Sequence, residues 1–145
     1  MEEYHLLEII SKYSFPRRDI NSSVEICDVE SYSNLKLPVD YVYYLENYFG
    51  IDQFIGVEFV KLWSLEEIIE ANESYNIVNE LHHTIGIGSN GSGEFIGIEF
   101  GKNENIKIIL SPFIDLNKEY NIEIGSSFTD FLIRLDNGVD WFLDK

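Results

Sequence analysis

With 145 residues, 45% of them hydrophobic and 14% aromatic, the chain is long and apolar enough to fold around its own core, which excludes a disordered acidic tail. Its 26 Asp and Glu against 10 Lys and Arg give a net charge of −16, which repels nucleic-acid phosphates and anionic membranes and excludes binding to either through a basic patch. No apolar run approaches the ~20 residues that span a bilayer, the start Met1-Glu2-Glu3-Tyr4-His5 is acidic where a signal peptide is basic, and the lone Cys27 has no partner for an internal disulfide, so a cytoplasmic protein is expected.

Leu6, Ile9, Ile10 and Tyr13 fall near helical spacing and predict a helix over about 2–12, ended by Phe15-Pro16 because the residue before proline is pushed out of the α region. Ser22 or Ser23 is read as the cap of a short second helix reaching about Tyr32. Leu37-Pro38-Val39-Asp40-Tyr41 reads as a helix start, with proline at the first helical position and Asp40 favouring the positive end of the dipole. Tyr41, Tyr44, Leu45 and Tyr48 follow at i, i+3, i+4 and i+7, and Gly50 is expected to end that helix in a left-handed conformation. Phe54 to Trp63, broken by Gly56, predicts one or two strands. Ser64-Leu65-Glu66-Glu67 is a capping box opening a helix to about Tyr75, with Leu65, Ile68 and Ile69 inward and Glu66, Glu67, Glu70 and Glu73 outward.

The next stretch, Thr84 to Phe100, contains Gly86, Gly88 and Gly91 in a G-x-G-x-x-G array. A dinucleotide-binding turn needs a helix after its third glycine, whose N–H groups and dipole hold the pyrophosphate. Here Gly93, Glu94, Phe95, Ile96, Gly97 and Ile98 follow, which is strand material. Asn90-Gly91 is also a hairpin dipeptide, since both residues tolerate positive φ. Two strands over about 83–88 and 94–100, joined by a glycine-rich turn, are therefore expected in place of a nucleotide site. Ile106 to Leu110 and Tyr120 to Ile124 supply further strands. Ser127, with Asp130 three residues on, caps a closing helix carrying Phe128, Phe131, Leu132 and Leu135, and Gly138 stops it. No repeat or linker interrupts this order, so one α+β domain over residues 1–145 is expected, with a mostly antiparallel sheet packed by N-terminal, middle and C-terminal helices.

No catalytic, cofactor or metal site emerges from the residue pattern. His82-His83, read as strand neighbours pointing to opposite faces, do not share a metal. Asp115, Asn117 and Glu119 alternate like a calcium loop, but Tyr120 and Ser126 stand where that loop needs glycine and glutamate. Cys27 has no neighbour that marks a nucleophile and is expected as a small buried side chain. The charge is uneven: no Lys or Arg stands between Lys61 and Lys102, while Glu66, Glu67, Glu70, Glu73, Glu80, Glu94 and Glu99 all do. The plain reading is a solvated face; the functional one is a face for a basic partner.

The order of these signals resembles one family. Glu30, then Leu37-Pro38-Val39-Asp40-Tyr41, then a helix ending at Phe49-Gly50, is similar to that family's opening. The Ser64 helix with Asn72 and Tyr75, followed by Ile85-Gly86-Ile87-Gly88 and Gly91-x-Gly93-Glu94, is similar to its middle. Ile124-Gly125-Ser126-Ser127-Phe128-Thr129-Asp130-Phe131-Leu132 is similar to its closing helix. The family is the SUKH superfamily, which includes fungal cell-wall regulators of the Smi/Knr type and many bacterial immunity proteins, and the resemblance runs from about Ser22 to Trp141. Ser89-Asn90 departs from the acidic residue usual in the family's glycine turn. The resemblance implies an α+β fold, no catalysis or cofactor, and an immunity protein that binds a cognate polymorphic toxin, a nuclease or similar basic domain. The acidic composition agrees, because nucleic-acid-acting toxins present basic surfaces. Glu66, Glu67, Glu70 and Glu73 are the candidate partner-binding residues. A regulatory scaffold of the fungal type is the alternative.

Overall fold

A computed structural model of the chain describes residues 2–19 and 21–142. Its elements run α1 (Glu2–Lys12), α2 (Ile26–Ser33), α3 (Val39–Asn47), β1 (Ile51–Ile55), β2 (Glu58–Leu62), α4 (Leu65–Tyr75), α5 (Ile77–Glu80), β3 (Thr84–Ser89), β4 (Glu94–Phe100), β5 (Ile106–Pro112), β6 (Ile122–Gly125) and α6 (Phe128–Asp136). The strands form one sheet in chain order, every neighbouring pair antiparallel, so short turns suffice to connect them. The fold is α+β, as the order of helical and strand periods predicts.

The sheet is curled rather than flat. α6 touches both β1 and β6, the two edges of the sheet, which is possible only if the meander wraps around that helix. Glycine permits the approach on each side. A Cβ on Gly125 of β6 would lie 2.7 Å from the Cβ of Phe131, and one on Gly56, in the β1–β2 turn, would run into the Leu135 carbonyl oxygen. Register slips between Gly86 and Gly88 of β3, and between Ile108 and Ile109 of β5, add the local bends that curl a sheet. α4 and α5 cover β3 from outside, so all six residues of β3 are buried and its sequence reads as unbroken burial rather than alternation.

α6 carries Phe128, Phe131, Leu132 and Leu135 into the core, where the Phe128 ring lies 5.1 Å from Tyr41 and 5.3 Å from Tyr44. Asp40 joins α3 to α6: its Oδ2 accepts from the Thr129 amide (2.9 Å) and hydroxyl (2.8 Å), two donors at a helix start that otherwise have no intrahelical partner. Glu30 anchors the approach to α3 by accepting the Leu37 amide at 2.8 Å. The motif residues at 30 and 40 are thus fixed by backbone donors.

Several local expectations are corrected. α2 is opened by Glu25 and Asp28, whose carboxylate accepts the Glu25 amide at 2.8 Å; Ser22 instead accepts from Val24 in a tight turn. Pro38 is the N-cap of α3 and Val39 its first residue. Gly50 does not take a left-handed conformation; it is small because a Cβ there would meet the Leu62 carbonyl oxygen across β1 and β2. In the glycine turn only Gly91 has positive φ (76°), and Asn90 acts through its amide, accepting from Ser92 at 3.0 Å and donating to Glu94 at 2.7 Å. His82 and His83 precede β3 in an exposed turn, not within a strand. Cys27 is exposed, not buried.

Candidate functional site

α4 presents the candidate residues. Its start is fixed by the box the sequence predicts: the Glu67 carboxylate accepts from the Ser64 amide at 2.9 Å and from its hydroxyl at 3.2 Å. Its seat on the sheet is fixed by Asn72, which is fully buried. The Asn72 amide donates to the Gly86 carbonyl (2.9 Å) and to Ile68 (2.8 Å), while its oxygen accepts the Gly86 N–H (2.8 Å). Asn72 therefore satisfies both backbone groups of Gly86 at the bulge, where the ladder itself slips. A Cβ on Gly86 would crowd the Ile77 side chain of α5 at 2.8 Å, with the Trp63 ring and the Asn72 amide oxygen close behind, so glycine lets α4 and α5 pack tightly over β3.

At 100° per residue, Glu66, Glu67, Glu70 and Glu73 share roughly a third of the helix circumference, the part opposite Asn72. The structure gives them different tasks. Glu66 is half-buried and forms a two-pronged pair with the nearly buried Arg18, at 2.7 and 3.0 Å. The Arg18 hydrogen bonds hold the Glu66 carboxyl down to about 2. Glu67 is exposed but turned back onto the helix cap. Glu70 and Glu73 are exposed, and no ion pair holds either among the described residues. Glu73 faces α2, where burial first, and then the Glu73 charge, raise the Tyr32 hydroxyl.

Two features escape a reading of the sequence. Arg18 lies 48 residues from Glu66, and nothing local links the two; the clamp exists because the Arg18 guanidinium is folded over Phe49 (5.2 Å) beside the start of α4. A ladder of aromatic rings also assembles from distant stretches. Trp63 stacks on Tyr75 (6.5 Å, 6° between planes), Tyr75 lies 4.2 Å from Phe113, and Phe113 lies 5.6 Å from Phe95.

The remaining surfaces offer little reactive chemistry. Gly86 and Gly91 of the apparent nucleotide fingerprint have their amides taken by Asn72 and by the Ser89 hydroxyl, and Gly88 is pressed against the Lys61 backbone. A strand, β4, follows Gly91 where a phosphate site needs a helix. A groove of about 710 Å³ opens between the α2–α3 connection and the β4–β5 hairpin, lined by apolar Leu37, Val39, Phe100 and Ile106. Of its polar groups, Asp40 holds Thr129 and Ser127 caps α6, leaving Lys36 and Tyr43 at its wall. Slight desolvation, then the hydrogen bond to Glu25 and the charges of Asp28 and Glu25, push the exposed Cys27 thiol up, away from the thiolate that a nucleophile requires. Among the described residues, no three His, Cys, Asp or Glu side chains come together to hold a metal, and no helix is long and apolar enough to cross a membrane.

A capped helix locked onto the back of an antiparallel meander, with a second helix inside its curl, defines an α+β domain of the mixed helix-and-antiparallel-sheet class. The model of the SMI1 / KNR4 family (SUKH-1) matches residues 21–134, and the chain belongs to that family. Its match spans α2 through most of α6 and so covers Glu30, Asp40, Asn72 and the glycine turn. Among curated proteins none matches the chain.

Proposed function

We propose that this chain is a non-enzymatic immunity protein, with the whole of residues 1–145 as its working unit, that binds a cognate polymorphic toxin in the cytoplasm and blocks it. Membership of the SMI1 / KNR4 family (SUKH-1) carries this reading, since the superfamily includes many bacterial immunity proteins. The charge of −16 gives the partner its character: a basic domain, of the kind that holds nucleic-acid phosphates, is drawn to such a surface and oriented by it. Glu66, Glu67, Glu70 and Glu73 contribute to the acidic face, with Glu70 and Glu73 available for direct contact because the other two are engaged by Arg18 and the cap.

The test is to look for a polymorphic toxin gene beside this one and to co-express its toxin domain with the chain. Rescue of growth and a stable complex are expected; lethality undiminished and no complex on gel filtration would end the reading. The family name itself favours one second reading, a regulatory scaffold of the fungal cell-wall type. Recovery of a housekeeping protein in place of any toxin, from cells making the tagged chain, would move the assignment there.

A further inference from the structure

The aromatic ladder ends in the open. Phe95 is buried and Trp63 nearly so, but Tyr75 is 46% exposed and Ile114, next after Phe113, is 95% exposed. The Phe113 amide donates to the Gly93 carbonyl at 3.0 Å, which ties the ladder to the glycine turn. Gly93 differs from the other glycines of that segment. A Cβ on it would meet nothing within 4 Å, and its φ is not positive, so the fold has no need of glycine there. The chain thus ties bare backbone at Gly93 to Phe113, with half-exposed Tyr75 against the Phe113 ring and solvated Ile114 next in the chain. Single exposed apolar residues are ordinary on a monomer; a joined set of aromatic and aliphatic side chains is the composition of an interface centre.

The charge around the patch indicates what covers it. Asp115, next after Ile114, is exposed, and no ion pair engages it among the described residues. No Lys or Arg occurs from α4 to the end of β4 to offset it. An exposed aromatic ring with a carboxylate close by in the chain suits arginine better than lysine, because a planar guanidinium packs on the ring while its edge donates to the carboxylate. The chain uses the same stacking internally, with Arg17 over Tyr48 and Arg18 over Phe49, each at 5.2 Å.

We propose that Tyr75, Phe113 and Ile114, with Gly93, form the apolar centre of the surface on which a basic protein partner docks, its anchor an arginine packed against the exposed part of the Tyr75 ring within reach of Asp115. This inference rests on the toxin-binding reading and adds the place and the anchor. The probe is a toxin domain whose lethality the chain relieves on co-expression, titrated calorimetrically against the wild-type chain and single variants, with each thermal midpoint recorded. Ile114→Ser removes only exposed apolar surface, so its midpoint stays put while affinity falls by about 30-fold or more, as at interface hot spots. Tyr75→Leu keeps bulk but removes the π-face and shows a comparable loss. Val39→Ser, at the 85% exposed wall of the apolar groove, binds like wild type.

If wild type protects and binds but Ile114→Ser binds equally well, the surface is misassigned while the immunity reading stands. If Ile114→Ser weakens binding and Tyr75→Leu does not, the arginine anchor is wrong. Should sedimentation show that Ile114→Ser converts a dimer to a monomer with toxin affinity unchanged, the patch belongs to a second copy of the chain. A wild-type chain that binds no toxin overturns both proposals together.

Discussion

Asn72 is the residue on which α4 and the bulge of β3 depend together. Asn72→Leu keeps the side chain's approximate volume but strands the N–H and C=O of Gly86 inside the protein. Such a change is expected to lower the unfolding free energy by about 2–4 kcal/mol, read from urea denaturation. The converse holds for Tyr44, whose hydroxyl is buried without a hydrogen-bond partner among the described residues and whose ionisation burial drives well upward. Tyr44→Phe is therefore expected to be neutral or to stabilise by about 1 kcal/mol. Glu66 links structure to pH. Its folded pKa of about 2 lies below the 4.5 of the free side chain, so the stability it contributes is fully present above 4.5 and is lost as pH falls towards 2. The urea midpoints of wild type and Glu66→Gln should accordingly converge across that window, and a gap that stays constant would contradict the Arg18 clamp. Of these residues, Asn72 was visible in the sequence only as part of a family pattern. A buried amide has no periodic signature, and the Arg18 contact joins segments that sequence spacing cannot bring together.

At the scale of elements, the helices and strands follow from period, caps and glycine. The Ser64 box, the Ser127 cap and the change to glycine, β-branched and aromatic residues from about residue 84 all mark real boundaries, because each is local chemistry. What failed was the assignment of reasons to particular residues. Gly50 ends no helix and Ser22 caps none; both misreadings took a residue's commonest local use where a tertiary contact or a neighbouring turn decided it. The glycines that matter most answer to distant backbone. Gly56→Ala combines a positive φ with collision against the Leu135 carbonyl, and a loss of about 2–4 kcal/mol is expected, measured as a lowered thermal midpoint. Gly93→Ala, facing open space, should leave that midpoint unchanged. The candidate glutamates were legible as a helix face, but not that Arg18 and the cap already hold two of the four, since both tethers depend on folded geometry.

For the whole molecule, the excess of acidic groups governs encounter more than fold. Replacing Glu70 and Glu73 together by lysine is expected to slow association with the toxin about 10-fold at low salt and to flatten its salt dependence, with little change in stability, by stopped-flow measurement. An unchanged rate at low salt would show that the attraction comes from elsewhere on the surface. The curl of the sheet about α6 has a consequence in time rather than in space. The helix that fills the concave face is made after every strand around it, so a nascent chain carries six strands whose shared interior is still vacant. Neither edge of the meander has its inner support until α6 leaves the ribosome, and most pairings must wait for it. Chains stalled with α6 still in the exit tunnel should be cut readily by protease, and protection should arrive in one step as residues 128–136 emerge. On this account the molecule has no early partly folded form able to engage a partner; its competence begins with the last helix.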